Sequence, residues 1–127
     1  MLSPPISVIT KTILSISRDQ LLLETRAAIL RKSGHQVISV SDPDEFLEAL
    51  QQSQIDLIVL GHSLLPDDRE EAFRFLSETG CSSPVIELYA TTAPPKSPAH
   101  FQLAVHDRTF QTDLLALVQQ VLADAVN

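Results

Sequence analysis

One cysteine, Cys81, stands in a chain of 127 residues, so no disulfide can form within it, and the expectation is a reducing, cytoplasmic setting. Positive charge is scarce. Nine Lys and Arg face sixteen Asp and Glu, a formal net charge of −7, and no Lys/Arg cluster offsets it locally. Such a surface repels a phosphate backbone, so direct nucleic-acid binding is not expected. Long apolar runs are missing too: the longest are strand-length, far short of the ~20 residues a membrane-crossing helix needs. The opening "MLSPPISVITK" has two prolines and no basic region ahead of an apolar run, so it is not read as a signal peptide. Internal repeats and long linkers are also absent.

What remains is the composition of an ordinary globular domain, 44% hydrophobic and 20% charged, in a chain long enough to bury one core. Residues 1–10, broken by Pro4 and Pro5, read as an N-terminal arm, and residues 11–127 as a single domain. "TILSIS" (12–17) is a β-rich run. It leads into "SRDQLLLETRAAILRKSG", which has helix period through Leu23, Ala27 and Leu30. Ser17 with Gln20 three residues on is a candidate capping box, and Gly34 supplies the stop. "QVISV" (36–40) is the second strand. The next helix opens with Asp42 as N-cap, Pro43 in the first position and Glu45 reaching back, and turns Phe46, Leu47 and Leu50 inward.

"IDLIVL" (55–60) is apolar on both pleat faces after Asp56, as a strand covered on both sides requires. "DDREEAFRFLSETG" (67–80) is a third helix with acids in its first turn. "PVIELYA" (84–90) is the fourth strand and "LAVH" (103–106) the fifth. Between them, the prolines of "TTAPPKSPAHFQ" forbid a full helix. "TDLLALVQQVLADAV" closes the chain as an amphipathic helix with Leu114, Val118, Val121 and Leu122 inward. Helix starts and solvated faces account for the acidic runs "SDPDE" and "PDDREE".

Strands alternating with helices imply parallel βαβ units with right-handed crossovers, hence an α/β, doubly wound sheet of five strands. In that architecture ligands lie beyond the C-terminal ends of the strands. The stretches that carry chemistry are therefore Ser17–Asp19, Gly61–Ser63, Tyr89–Thr92 and His106–Thr109.

With "ILSISRD", "ILRKSGHQVISVSDPDEFLEAL", "DLIVLGHSLLPDD", "PVIELYA" and "DRTFQTDLLALV" in this order, residues 11–126 resemble the receiver domain of bacterial response regulators. The resemblance implies a flavodoxin-like sheet of strand order 2-1-3-4-5, with the fourth helix shortened or lost. Family members accept a phosphoryl group on an aspartate ending the third strand. An acidic pair after the first strand helps hold Mg2+, and a Ser/Thr and a Lys contact the phosphoryl oxygens. Carried over residue by residue, the nucleophile position is Gly61, the acidic pair Ser17 and Arg18, the hydroxyl Tyr89 and the lysine Arg108. The resemblance is thus to a receiver whose phosphorylation site is degenerate. It implies no catalysis, no cofactor and no Mg2+ binding, in a pseudo-receiver that signals by contact with a protein partner or a second copy of itself. With the last helix at the end of the sequence, output is expected through such contacts.

A second reading makes Arg18 and Arg108 candidate anion-binding residues of a small-anion or nucleotide sensor. Its weakness is that "SRDQ" is no glycine-rich phosphate loop. The same arginines could instead pair with Asp19, Asp68 or Asp107. His62, beside the vacant position, is a candidate phosphoacceptor or metal ligand, but His35, His100 and His106 show no metal-ligand spacing with it. The proline-rich segment is either a passive loop or a reshaped partner surface.

Overall fold

A computed structural model describes residues 10–124 of the chain. The elements run β1 (Thr12–Ile16), α1 (Gln20–Lys32), β2 (Gln36–Val40), α2 (Pro43–Gln52), β3 (Leu57–Leu60), α3 (Pro66–Glu78), β4 (Val85–Tyr89), β5 (Phe101–Ala104) and α4 (Phe110–Asp124). The five strands form one sheet in the order β2-β1-β3-β4-β5, and every pairing is parallel. This is the doubly wound sheet expected from the alternation of strands and helices. Residues 91–100 contain no helix, as their prolines require. The arm expected over residues 1–10 lies outside the described residues, apart from Thr10.

Alternating side chains divide the core in two. Leu14, Ile16, Ile58, Leu60 and Val85 face α2 and α3, where they pack on Phe46, Ala72, Phe75 and Leu76. Ile13, Leu57, Val59, Ile86 and Leu88 face α1 and α4, against Ala27, Leu30, Leu114, Val118, Val121 and Leu122. All four residues of β3 are fully buried, which explains its unbroken apolar run.

Several local expectations are corrected. Ser17 does not cap α1; it is buried at the strand exit, and Asp19 is the cap, accepting from the Leu22 amide at 3.1 Å. Asp42 caps α2 as expected, accepting from the Glu45 amide at 2.8 Å. The Glu45 carboxylate, however, reaches one residue further back, to the amide and hydroxyl of Ser41, both at 2.9 Å. β3 starts at Leu57, because Asp56 turns its carboxylate to the Thr12 amide at 2.8 Å.

α3 begins at Pro66 and ends at Glu78. β5 lies two residues earlier than "LAVH" suggests. Its partner β4 sets the register, from Ile86 beside Phe101 to Tyr89 beside Ala104, and leaves His106 in the turn beyond. As an edge strand, β5 needs no continuous apolar run, and Phe101 is 39% exposed. α4 starts at Phe110, and the Thr109 hydroxyl donates to Asp113 at 2.7 Å within its first turn.

No described helix is long and apolar enough to cross a membrane.

Candidate functional site at the strand ends

The C-terminal ends of β1 and β3 adjoin where the register runs from Ile16 beside Leu60 to Ser17 and Gly61. The Gly61 amide donates to the Ile16 carbonyl at 2.8 Å. A Cβ at position 61 would lie 2.9 Å from that carbonyl oxygen and 3.0 Å from the Ser17 Cβ. Such contacts are too short for any side chain unless the backbone of β1 gives way. Gly61 is therefore dictated by close approach of the two strands; its φ is not positive.

Ser17 fills the space over Gly61. Its hydroxyl shares a 2.6 Å hydrogen bond with that of Ser63 and accepts from the Asp19 amide at 3.2 Å. The Arg18 amide donates to Ser63 at 3.1 Å. The loops after β1 and β3 are thus joined by hydroxyls.

Arg18 turns its guanidinium to Asp68 in a two-pronged pair, Nε at 2.9 Å and Nη2 at 2.8 Å. Arg18 is partly exposed, whereas Asp68 is buried and also accepts from the Leu65 amide at 3.2 Å. The hydrogen bond from Arg18 holds the Asp68 carboxyl below its ordinary range. Of the three acids named as candidate partners, Arg18 takes Asp68.

The neighbouring Arg69 organises the other side of β3. Its Nη1 donates to Glu87 at 2.6 Å, and its Nη2 to the carbonyls of Gly61 at 3.2 Å and Leu88 at 3.3 Å. Glu87, 1% exposed in mid-β4, also accepts from Ser97 at 2.6 Å and Gln102 at 2.9 Å. Gln102 donates in turn to the Pro95 carbonyl at 2.6 Å. One buried carboxylate therefore ties α3, β4, β5 and the proline-rich segment together. This corrects the reading of "PDDREE" as a solvated run: Asp68 and Arg69 both turn inward. The available signal was Glu87, an acid inside "PVIELYA", since a buried charge must find a partner.

His62 is half-buried, and its Nδ1 is enclosed with no hydrogen-bond partner among the described residues. Burial, reinforced by the charges of Arg26 and Arg69, pushes its pKa below the ordinary histidine value and keeps the ring neutral near pH 7. Arg26, on α1, is buried, and its Nη1 reaches only Ser15 at 3.4 Å. Its Nε has no partner among the described residues, and burial lowers its pKa to about 10. The period of Leu23, Ala27 and Leu30 puts position 26 on the same inward face, and the arginine there is a charge that this face does not call for.

Tyr89 ends β4, half-buried, its carbonyl accepting from the Val105 amide at 2.9 Å. Arg108 lies exposed in the turn before α4 and makes no hydrogen bond or ion pair among the described residues. The fold thus brings Ser17, Arg18 and Gly61 together with Ser63 and Asp68, while Arg18 and Arg108 share no partner. The residues present do not fit a Mg2+ site. Gly61 offers no oxygen ligand but its carbonyl, which Arg69 holds, and a guanidinium stands where carboxylates would be needed. Among the described residues no group of three or more His, Cys, Asp or Glu could hold a metal ion.

No protein-family model matches the chain, and no curated protein matches it. Solved structures do. The receiver domain of a Francisella response regulator is similar at 18% identity and TM-score 0.77, covering 91% of this chain and 99% of that one. The receiver domain of a sensor histidine kinase from Pseudomonas aeruginosa PAO1, with a magnesium ion coordinated in its active site cleft, is similar at 20% identity and TM-score 0.76, covering 90% and 98%. The N-terminal domain of a response regulator/sensory box/GGDEF protein from Carboxydothermus hydrogenoformans is similar at 21% identity and TM-score 0.75, covering 89% and 94%. Sheet order, the two-faced core and these likenesses agree: the chain has the fold of the response-regulator receiver domains.

Proposed function

We propose that this chain is a phosphorylation-independent, non-catalytic receiver-like domain of two-component-type signal transduction in the cytoplasm, acting through contacts with a protein partner or a second copy. The observation that carries the reading is Gly61. It stands where receivers keep the aspartate nucleophile, and the packing of β1 leaves no room there for a side chain. The bidentate Arg18–Asp68 pair supports it, because a fixed cation spans the place where a metal-binding carboxylate would be required. Two exposed apolar side chains, Leu21 (71%) in the first turn of α1 and Leu65 (61%) just ahead of α3, lie at this same end and suit a contact surface. The anion-sensor reading has less support, since both prongs of Arg18 are taken by Asp68.

The test is incubation with acetyl phosphate and Mg2+, followed by intact-mass measurement. The expected result is an unmodified chain. A stoichiometric, hydroxylamine-labile phosphoryl adduct on any residue, His62, Asp67 and Asp68 included, would overturn the proposal.

A further inference from the structure

Arg26 is buried on the inward face of α1, 5% exposed, and no opposite charge meets it. Its Nη1 donates to the buried Ser15 hydroxyl at 3.4 Å, a long contact, and its Nε has no partner among the described residues. No carboxylate pairs with it among those residues. The acids of the neighbouring turns are engaged elsewhere: Asp19 accepts from the Leu22 amide, Glu24 from Gln20 and Asp113 from Thr109. Burial lowers the Arg26 pKa, and no acid opposes that effect. A buried cation left so is costly, and buried charges are as a rule paired.

A cavity of about 60 Å3 leads to Arg26 between α1 and α4. Thr25 and Gln111 are exposed at its mouth, Leu22, Ile29 and Phe110 are half-buried along it, and Arg26 and Leu114 lie innermost. Arg26 is the one charged residue among those that line it, so the lining carries a net positive charge. The volume is well below the ~300 Å3 at which sites for drug-sized ligands begin, and a nucleotide does not fit.

We propose that this cavity takes up one small monovalent anion, of the size of chloride or formate, which pairs with the guanidinium of Arg26. A single cation calls for a single negative charge. Apolar walls disfavour a strongly hydrated divalent ion, and the guanidinium is itself weakly hydrated. Gln111 and Thr25 supply side-chain donors at the mouth. The cavity lies on the α1–α4 face of the sheet, whereas Asp68 and Arg69 belong to α3 on the other, so the inference stands apart from the phosphorylation reading.

The test is thermal melting of the full chain in sodium formate, sodium chloride and sodium sulfate at matched ionic strength, beside ring-proton NMR titration of His62. Formate and chloride are expected to raise Tm saturably, by about 3–6 °C at tenfold over a Kd on the order of 10 mM. Sulfate is expected to give no saturable rise. The charge of Arg26 lowers the His62 pKa, so an anion bound at Arg26 is expected to raise it. Both responses are expected to vanish in Arg26→Met, which keeps the packing of the stem. A Tm without a saturable response to formate, or a His62 pKa that formate leaves unmoved relative to sulfate, would mean that water alone serves Arg26 and would overturn the proposal. So would an equal response to sulfate, or a response that survives in Arg26→Met.

Discussion

Arg69 and Glu87 meet at 2.6 Å beneath the proline-rich segment, with the Glu87 side chain only 1% exposed. A carboxylate so enclosed is stable as an anion only because three side chains donate to it. Glu87→Leu removes that anion and leaves Arg69 charged and largely enclosed. Unfolding in urea is expected to become easier by about 3 kcal/mol, and the Arg69→Leu/Glu87→Leu double variant to recover much of the loss. Limited proteolysis is expected to cut the single variant within residues 91–100, where Ser97 has lost its anchor.

Gly61→Ala places a methyl group 2.9 Å from the Ile16 carbonyl oxygen. β1 and β3 must part slightly, and a loss of about 1–3 kcal/mol is expected in the same assay. Gly61→Asp is expected to be less stable still and to take up no phosphate from acetyl phosphate with Mg2+.

Asp68 is held below its ordinary pKa by Arg18, so the folded state binds its proton less readily than the unfolded state does. The stability this supplies is fully present above the ordinary aspartate range and is lost as pH falls through the depressed folded value. Asp68→Asn is therefore expected to flatten the acid limb of the melting-temperature profile. Scans at closely spaced pH values below 5 check it; an unchanged acid limb contradicts it.

Arg26 is expected to behave in the opposite sense to the other charges. It is 5% exposed and, among the described residues, pairs with no carboxylate and reaches one hydroxyl at 3.4 Å. Arg26→Met retains the packing of its stem and removes a poorly solvated charge. A gain of about 1–3 kcal/mol is expected in denaturant midpoints. The same variant is expected to raise the His62 pKa, which ring-proton NMR titration reads directly, because one of the repelling charges is gone.

These contrasts separate what sequence could tell from what it could not. The alternation of apolar runs, the Asp42-Pro43 helix start and the apolar β3 made the architecture legible, because each is a local signal: period, capping and a run buried on both faces. That Gly61 lies at the end of β3 was also legible, since strand ends in this architecture are known in advance. What pattern could not give was direction. Ser17 looked like a cap and instead fills the space over Gly61. Arg69 sat in a run of acids that reads as solvated, and only its place on α3 opposite Glu87 turns it inward. Arg26 occupies a buried helix position that a hydrophobic residue would fill. Such pairings join residues far apart in sequence, 18 positions for Arg69 and Glu87 and 50 for Arg18 and Asp68, beyond the reach of local periodicity.

The contact between Gly61 and β1 also constrains mutational paths. A single exchange of Gly61 for aspartate is not accommodated by this packing, because the carboxylate would have to displace the Ile16 carbonyl and Ser17. Replacing Arg18 first would strip Asp68 of its partner, and altering Ser17 first would break the hydroxyl link to Ser63. Each first step weakens the fold before any chemistry is gained. The packed strand end therefore works as a ratchet: a side chain at position 61 is accommodated only through several coordinated changes around it.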